Sequence, residues 1–217
     1  MRAGPSAIVR ASCGLAAVLA LAGAFALGFA VTRGGEPAPL AAIESAWLNH
    51  STLIAWWLTW TCYPYVLVPV SVALLGVAWR APAWRGRVLF SIAMLLLCWL
   101  CADQLQHAFA RPRRLDWVVK HETSFSYPSS HAAISTGFYG LWAVLLAVSS
   151  LPRAVRAAGA AALVVLVAAV CWARLALGAH YVTDLAGGVL VGAGVVAAGA
   201  AVVGEKVLGV PGGARVE

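Results

Sequence analysis

Arg174-Leu-Ala-Leu-Gly-Ala-His180-Tyr-Val-Thr-Asp184 sets an arginine, a histidine and a carboxylate between two long runs of Ala, Val, Leu and Gly. Ionisable groups in such surroundings are costly and are kept where a function needs them. On a helix, His180 and Asp184 stand one turn apart on the same face, so the carboxylate can accept a ring N–H and fix which imidazole nitrogen is free. Arg174 adds a planar fork for an anionic oxygen. The plain alternative is a satisfied histidine with a snorkelling arginine at helix ends.

The rest of the chain sets the class of protein. It has 217 residues, 62% of them hydrophobic and 11% charged, with a mean hydropathy of +0.87. A soluble domain needs far more polar surface, so the composition predicts a polytopic membrane protein embedded in the lipid bilayer. The net charge of +7 suggests nucleic acid at first sight. That partner is excluded, because the basic residues sit in short connections between apolar runs and not along one polar face. The five cysteines fall mostly within apolar runs, where they act as small hydrophobes. Cys98 and Cys101 enclose Trp99 and Leu100 inside such a run, so their spacing points to neither redox chemistry nor zinc.

Apolar runs at about 11–31, 53–79, 88–110, 132–151, 157–177 and 185–203 predict an all-α bundle of six transmembrane helices forming a single domain over residues 1–217. Between the first two, Leu40, Ile43, Trp47 and Leu48 recur at helical spacing, as expected of a short interfacial helix. Gly188 and Gly192 make a small-xxx-small pair suited to close helix packing, with no expected bearing on chemistry. Nine of the 15 Lys and Arg residues lie at the amino terminus, in the turns at 80–87 and 152–156, and in the tail. This bias places both termini in the cytoplasm and the links 111–131 and 174–184 on the outer side of a cytoplasmic membrane.

Two more polar clusters share that side. One runs from Gln104 to Arg111-Pro112 at the end of the third run. The other, Tyr127-Pro128-Ser129-Ser130-His131, has the makings of a helix start, with hydroxyl caps, free N–H groups and a positive dipole end that suit an anion. Together the clusters supply two guanidiniums (Arg111, Arg174), an anion-binding helix start (Ser129, Ser130) and two histidines (His131, His180). A phosphoester or pyrophosphate hydrolase without a metal needs this set: one imidazole to attack phosphorus, one to protonate the leaving oxygen, and cations for the equatorial oxygens. A metal site fits less well, since neighbouring arginines repel a cation and attract phosphate.

The order Gln104-x6-Arg111-Pro112, Pro128-Ser129-Ser130-His131 and Arg174-x5-His180-x3-Asp184 resembles the three-part signature of the type 2 phosphatidic acid phosphatase superfamily, in its membrane lipid phosphatase branch. Membrane members have six spans, with the motifs at the end of the third, the start of the fourth and between the fifth and sixth. The three clusters of this chain lie at those places, so the resemblance extends over nearly all of it. It implies that His180 is the nucleophile, Asp184 its orienting partner and His131 the general acid, while Arg111, Arg174, Ser129 and the backbone at Ser130 hold the phosphate. The sequence departs from the pattern at three positions. Ser130 replaces a glycine, Ala173 replaces a serine, and Gln104 stands where a lysine is usual. Gln104 would join the substrate-binding set as a donor without charge, which leaves open a shifted substrate preference, a replacement cation such as Lys120 or Arg113, or reduced activity.

The implied activity is hydrolysis of a lipid phosphate or diphosphate through a phosphohistidine, with no metal or cofactor. An undecaprenyl-type polyprenyl diphosphate is the first expectation, followed by phosphatidic acid and phosphatidylglycerol phosphate. The alternative is a protein that binds lipid phosphates with little turnover, suggested by Gln104 alone. A transporter is disfavoured, since no repeated halves or paired interrupted helices are visible in the sequence.

Overall fold

The computed structural model describes residues 5–114 and 122–204, with side chains from residue 7 onward. The described residues form α1 (Pro5–Gly34), α2 (Ala38–Trp47), α3 (Thr52–Trp60), α4 (Pro64–Arg80), α5 (Arg85–Phe109), α6 (Ser130–Ser135), α7 (Leu141–Ala147), α8 (Arg153–Ala176) and α9 (Val182–Val203). A π-helical turn at Thr136–Gly140 joins α6 to α7, so together they make one span. Among the described residues, five helical stretches are long and apolar enough to cross a membrane, and the bent pair α3–α4, taken as one span, makes a sixth. The protein is an all-helical, multi-pass membrane protein.

The second span differs from the straight run expected over 53–79. It is broken at residues 61–63 and bends by 45° between α3 and α4. Pro64 opens α4 and accounts for the break: its ring disfavours helical geometry at Tyr63 and its nitrogen has no proton for the turn below. Thr61, left outside both helices, uses its carbonyl to accept the Tyr139 hydroxyl at 2.6 Å.

Burial follows the logic of a lipid solvent. Large apolar side chains such as Leu19, Phe29, Trp57, Val72, Trp79 and Val165 face outward, while the interior combines alanines such as Ala24, Ala102, Ala133 and Ala176 with larger residues such as Phe138 and Leu145. With no water to expel between spans, close approach of small residues is what holds them together. Helix α9 packs between α1 and α6. Along one side lies α1, whose Arg10 guanidinium donates to the last-turn carbonyls of Ala201 and Val202 at 2.9 and 2.7 Å. At the other end of this contact the Tyr127 hydroxyl donates to the Ala24 carbonyl. On its opposite face, Gly188 meets the Ser129 carbonyl and Ala132, and Gly192 meets the Ala133 carbonyl and Thr136. A Cβ at either glycine would collide with backbone. The glycine pair, expected to serve packing alone, therefore sets the start of the fourth span directly against the start of the sixth, and with it the chemistry of both.

The short helix expected between the first two spans is α2. Its Trp47 packs edge-on against Trp172 of α8 at 6.2 Å, and its Glu44 turns inward, only 2% exposed. The segments 35–51, 110–114, 122–129 and 177–181 all meet at this end of the bundle.

Candidate active site

Asp184 is the most heavily engaged group in the cluster. It lies at the third position of α9 and is fully buried. Its Oδ2 accepts the Tyr181 backbone N–H at 3.0 Å, closing the first turn, and also accepts the Ser126 hydroxyl. The same oxygen faces Nδ1 of His180 at 3.3 Å, and Oδ1 accepts Nη1 of Arg111 at 2.6 Å. A carboxylate with this many donors acts as an acceptor toward the imidazole, so Nδ1 carries the proton and the lone pair sits on Nε2.

Nε2 of His180 points at Arg113. An Nη1 proton of Arg113 reaches it at 3.1 Å, while the same guanidinium is anchored on the Ala179 carbonyl at 2.8 Å, the Ser124 carbonyl at 2.7 Å and the Ser124 hydroxyl at 2.8 Å. His180 is 1% exposed. Burial, together with the Arg113 and Arg174 guanidiniums, holds its pKa well below the usual imidazole value of 6.5. The ring is therefore neutral at pH 7, with a free electron pair on Nε2 directed at cationic donors.

Arg174, at the end of α8, completes this side. Its Nη2 donates to Oε1 of Glu122 at 2.7 Å, and Oε2 of the same carboxylate lies 3.0 Å from Nη2 of Arg113. Burial acts to raise the Glu122 carboxyl, but Arg174 and Arg113 together outweigh it and hold the pKa below the ordinary range. One carboxylate thus bridges two guanidiniums directly in front of His180.

His131 is the second residue of α6 and 8% exposed. Its Nε2 is buried without a hydrogen-bond partner among the described residues, and the ring stands edge-on to Tyr63 at 5.2 Å. Arg174, His180 and Arg113 all lie within electrostatic reach of it. Beside His131 and Ser130 opens a cavity of about 510 Å³ between α4 and α5, lined by Leu67, Ile92, Leu95 and Ile134. The break at Pro64 forms part of its wall. Ser129 is buried as the cap of α6, receiving the Ala132 N–H at 3.4 Å and donating its own N–H to the Asp184 carbonyl at 2.9 Å.

The structure thus gathers His180, Asp184, His131, Arg174, Ser129 and Ser130 at one end of the bundle. Two residues expected to bind substrate stand differently. Gln104 is exposed on α5, with Nε2 donating to Asp103 at 3.3 Å; the residue that turns inward is Gln106, two positions and about half a helical turn on, which donates to the Pro128 carbonyl at 2.9 Å. Arg111 does not face the anion site. It is held by Asp184, by Oε2 of Glu36 at 3.0 Å and by the Thr183 hydroxyl at 2.8 Å, with its guanidinium 4.0 Å from the centre of the Tyr181 ring. Of the two candidate replacement cations, Arg113 lies at His180, whereas Lys120 falls outside the described residues.

Glu36, Glu44, Glu122 and Ser126 were not singled out by sequence. A signal existed for the carboxylates: the chain has only eight Asp and Glu residues, and Glu44 lies one position from Ile43 on the apolar stripe of α2. Half of the eight, Glu36, Glu44, Glu122 and Asp184, converge here.

Residues 106–207 match the sequence model of the PAP2 superfamily. No curated protein sequence matches the chain. Among solved structures, one described as a transmembrane PAP2-type phosphatidylglycerolphosphate phosphatase from Bacillus subtilis superposes with a TM-score of 0.72. The match covers 83% of this chain and 92% of that one at 22% identity, which establishes a shared fold.

Proposed function

We propose, taking residues 106–207 as a domain of the PAP2 superfamily, that this protein is an integral-membrane phosphatase that hydrolyses a lipid phosphate or diphosphate through a phosphohistidine, without a metal. The terminal phosphoryl group displaces the Glu122 carboxylate and takes its place between Arg113 and Arg174, whose planar forks suit phosphate oxygens as well as they suit a carboxylate. His180 Nε2 then attacks phosphorus, forming the P–N bond as the P–O bond to the leaving group breaks. Asp184 holds the imidazolium that develops. His131 Nε2 gives its proton to the leaving oxygen, then takes one from the water that attacks phosphorus in the second step. Orthophosphate departs and His180 is restored.

The observation that carries this reading is the neutral His180, backed by Asp184 and facing two arginines already bridged by an anion. The groove beside His131 supports a lipid leaving group, because its apolar walls suit a hydrocarbon chain attached to the oxygen that His131 protonates. Binding without turnover loses its one support, since Gln104 stands outside the site and Arg113 brings a positive charge to it.

The test is a phosphate-release panel on purified protein across polyprenyl diphosphate, phosphatidic acid, phosphatidylglycerol phosphate and lipid A phosphates, with a chelator present. Release from at least one lipid is expected, together with its loss in His180→Ala and trapping of phosphate on His180 in wild type quenched with alkaline detergent, which preserves the P–N bond that acid would cleave. Full activity in His180→Ala would overturn the mechanism.

A further inference from the structure

Glu36 and Glu44 lie outside the segment that matches the superfamily and do not contact His180, yet both are buried against the start of α9. That helix opens after Tyr181, a residue type with little aptitude for capping. Its first N–H groups need acceptors from elsewhere. The Val182 N–H donates to Oε1 of Glu44 at 2.7 Å, and the Thr183 N–H donates to Oε1 of Glu36 at 3.2 Å. Oε2 of Glu36 accepts the Thr183 hydroxyl and also Nη2 of Arg111, whose Nη1 is on Asp184. Oε2 of Glu44 pairs with Arg114. The charge of Arg111 is therefore divided between Glu36 and Asp184, and Asp184 in turn holds His180.

We propose that Glu36 and Glu44 are positioning residues for the hydrolysis proposed above. From the first inter-span link and α2, they cap the helix that carries Asp184, and Glu36 also takes up part of the Arg111 charge that Asp184 would otherwise bear alone. The more of Arg111 that Glu36 accepts, the more negative charge Asp184 keeps for the imidazolium that forms on His180. Negative charge at this helix start is also favoured by the helix dipole. Substitution by glutamine separates charge from shape: the amide oxygen can still accept from Val182 or Thr183, but the ion pairs with Arg111 and Arg114 are lost.

The inference rests on the proposed hydrolysis, and its test keeps the two apart. Full-length Glu36→Gln and Glu44→Gln are compared with wild type for phosphate release from phosphatidic acid and farnesyl diphosphate in mixed micelles. Thermal stability and the ¹⁵N resonances of His180 are followed in parallel. Expected for Glu36→Gln is a fall in kcat of about tenfold or more, as supporting groups behind a reactive residue commonly give, with KM within about threefold. The Nδ1 resonance of His180 shifts, and thermal stability is retained. Glu44→Gln gives a smaller fall in the same direction. Wild-type kcat and wild-type His180 resonances in both variants would overturn the proposal, as would losses that merely track the unfolded fraction. Should the wild type release phosphate from neither substrate, the hydrolase reading fails for these lipids, and the His180 resonance alone decides whether the two carboxylates act on the imidazole.

Discussion

His180 offers a substrate one nitrogen only, because Asp184 occupies the other. Arg113 and Arg111 approach this pair from opposite ends, and their substitutions are expected to differ in kind. Arg113→Ala removes a guanidinium from the anion site, so kcat/KM should fall about a hundredfold or more, with a clear rise in KM. Arg111→Ala leaves the anion site intact and disturbs Asp184 from behind, so the loss should appear in kcat with KM little changed. Gln104→Lys should leave activity within about twofold of wild type, as exposed substitutions away from a site usually do. Steady-state phosphate-release kinetics on the three variants check this ordering. The members of the candidate site were legible from residue type and spacing: His131, Arg174, His180 and Asp184 lie at one end of the bundle. The role of Arg111 was not legible, since an arginine beside a proline reads the same whether it meets phosphate or carboxylate. Only the packing of Glu36, 75 positions earlier, distinguishes the two.

At the level of elements, the close approach of α9 to α6 holds the two imidazole-bearing segments together. Gly188 packs against the Ser129 carbonyl, two residues before His131, and against Ala132, the residue after it. Gly188→Ala must push the helices apart, because the obstructing atoms include backbone that cannot rotate away. Overpacking of this kind costs about 1–3 kcal/mol, and a displacement near 1 Å at the reacting groups can cost about a hundredfold in rate. Expected is a protein that still inserts and folds, with a lower melting temperature and kcat reduced by about two orders of magnitude. Gly76, with open space around its Cα, supplies the control: Gly76→Ala should be neutral or slightly stabilising. The spanning helices were legible as apolar runs, and the short α2 as apolar residues at helical spacing. The break in the second span was not, because a proline inside an apolar run leaves open whether the helix bends, stops or continues.

For the whole molecule, stability should respond to pH through two buried groups of opposite sign. Burial, reinforced by neighbouring Glu36 and opposed by the Val182 N–H and Arg114, pushes the Glu44 carboxyl from 4.5 up to about 7. The folded state then holds a proton that the unfolded state has released, and this contribution is lost as pH rises from about 4.5 through about 7. His180 is shifted the other way: it is kept neutral when folded, so stability is lost as pH falls below 6.5 toward its depressed folded value. Glu44→Gln removes the first effect alone. Its melting temperature should gain on that of wild type by a few degrees between pH 5 and pH 8, while activity declines. Melting curves at the two pH values check the sign, and a constant difference across them would contradict the assignment. What the sequence determined by itself was the solvent and the ingredients. Twenty-residue apolar runs can satisfy their backbones in lipid only as helices, and charged residues at their ends persist only where they meet partners. Which carboxylate meets which guanidinium was decided by tertiary structure alone. Glu36, Glu44, Arg111, Arg113, Glu122, Arg174 and Asp184 are strung over nearly 150 positions, and their pairing depends on how six spans fold back on one another, which no local pattern of residues encodes.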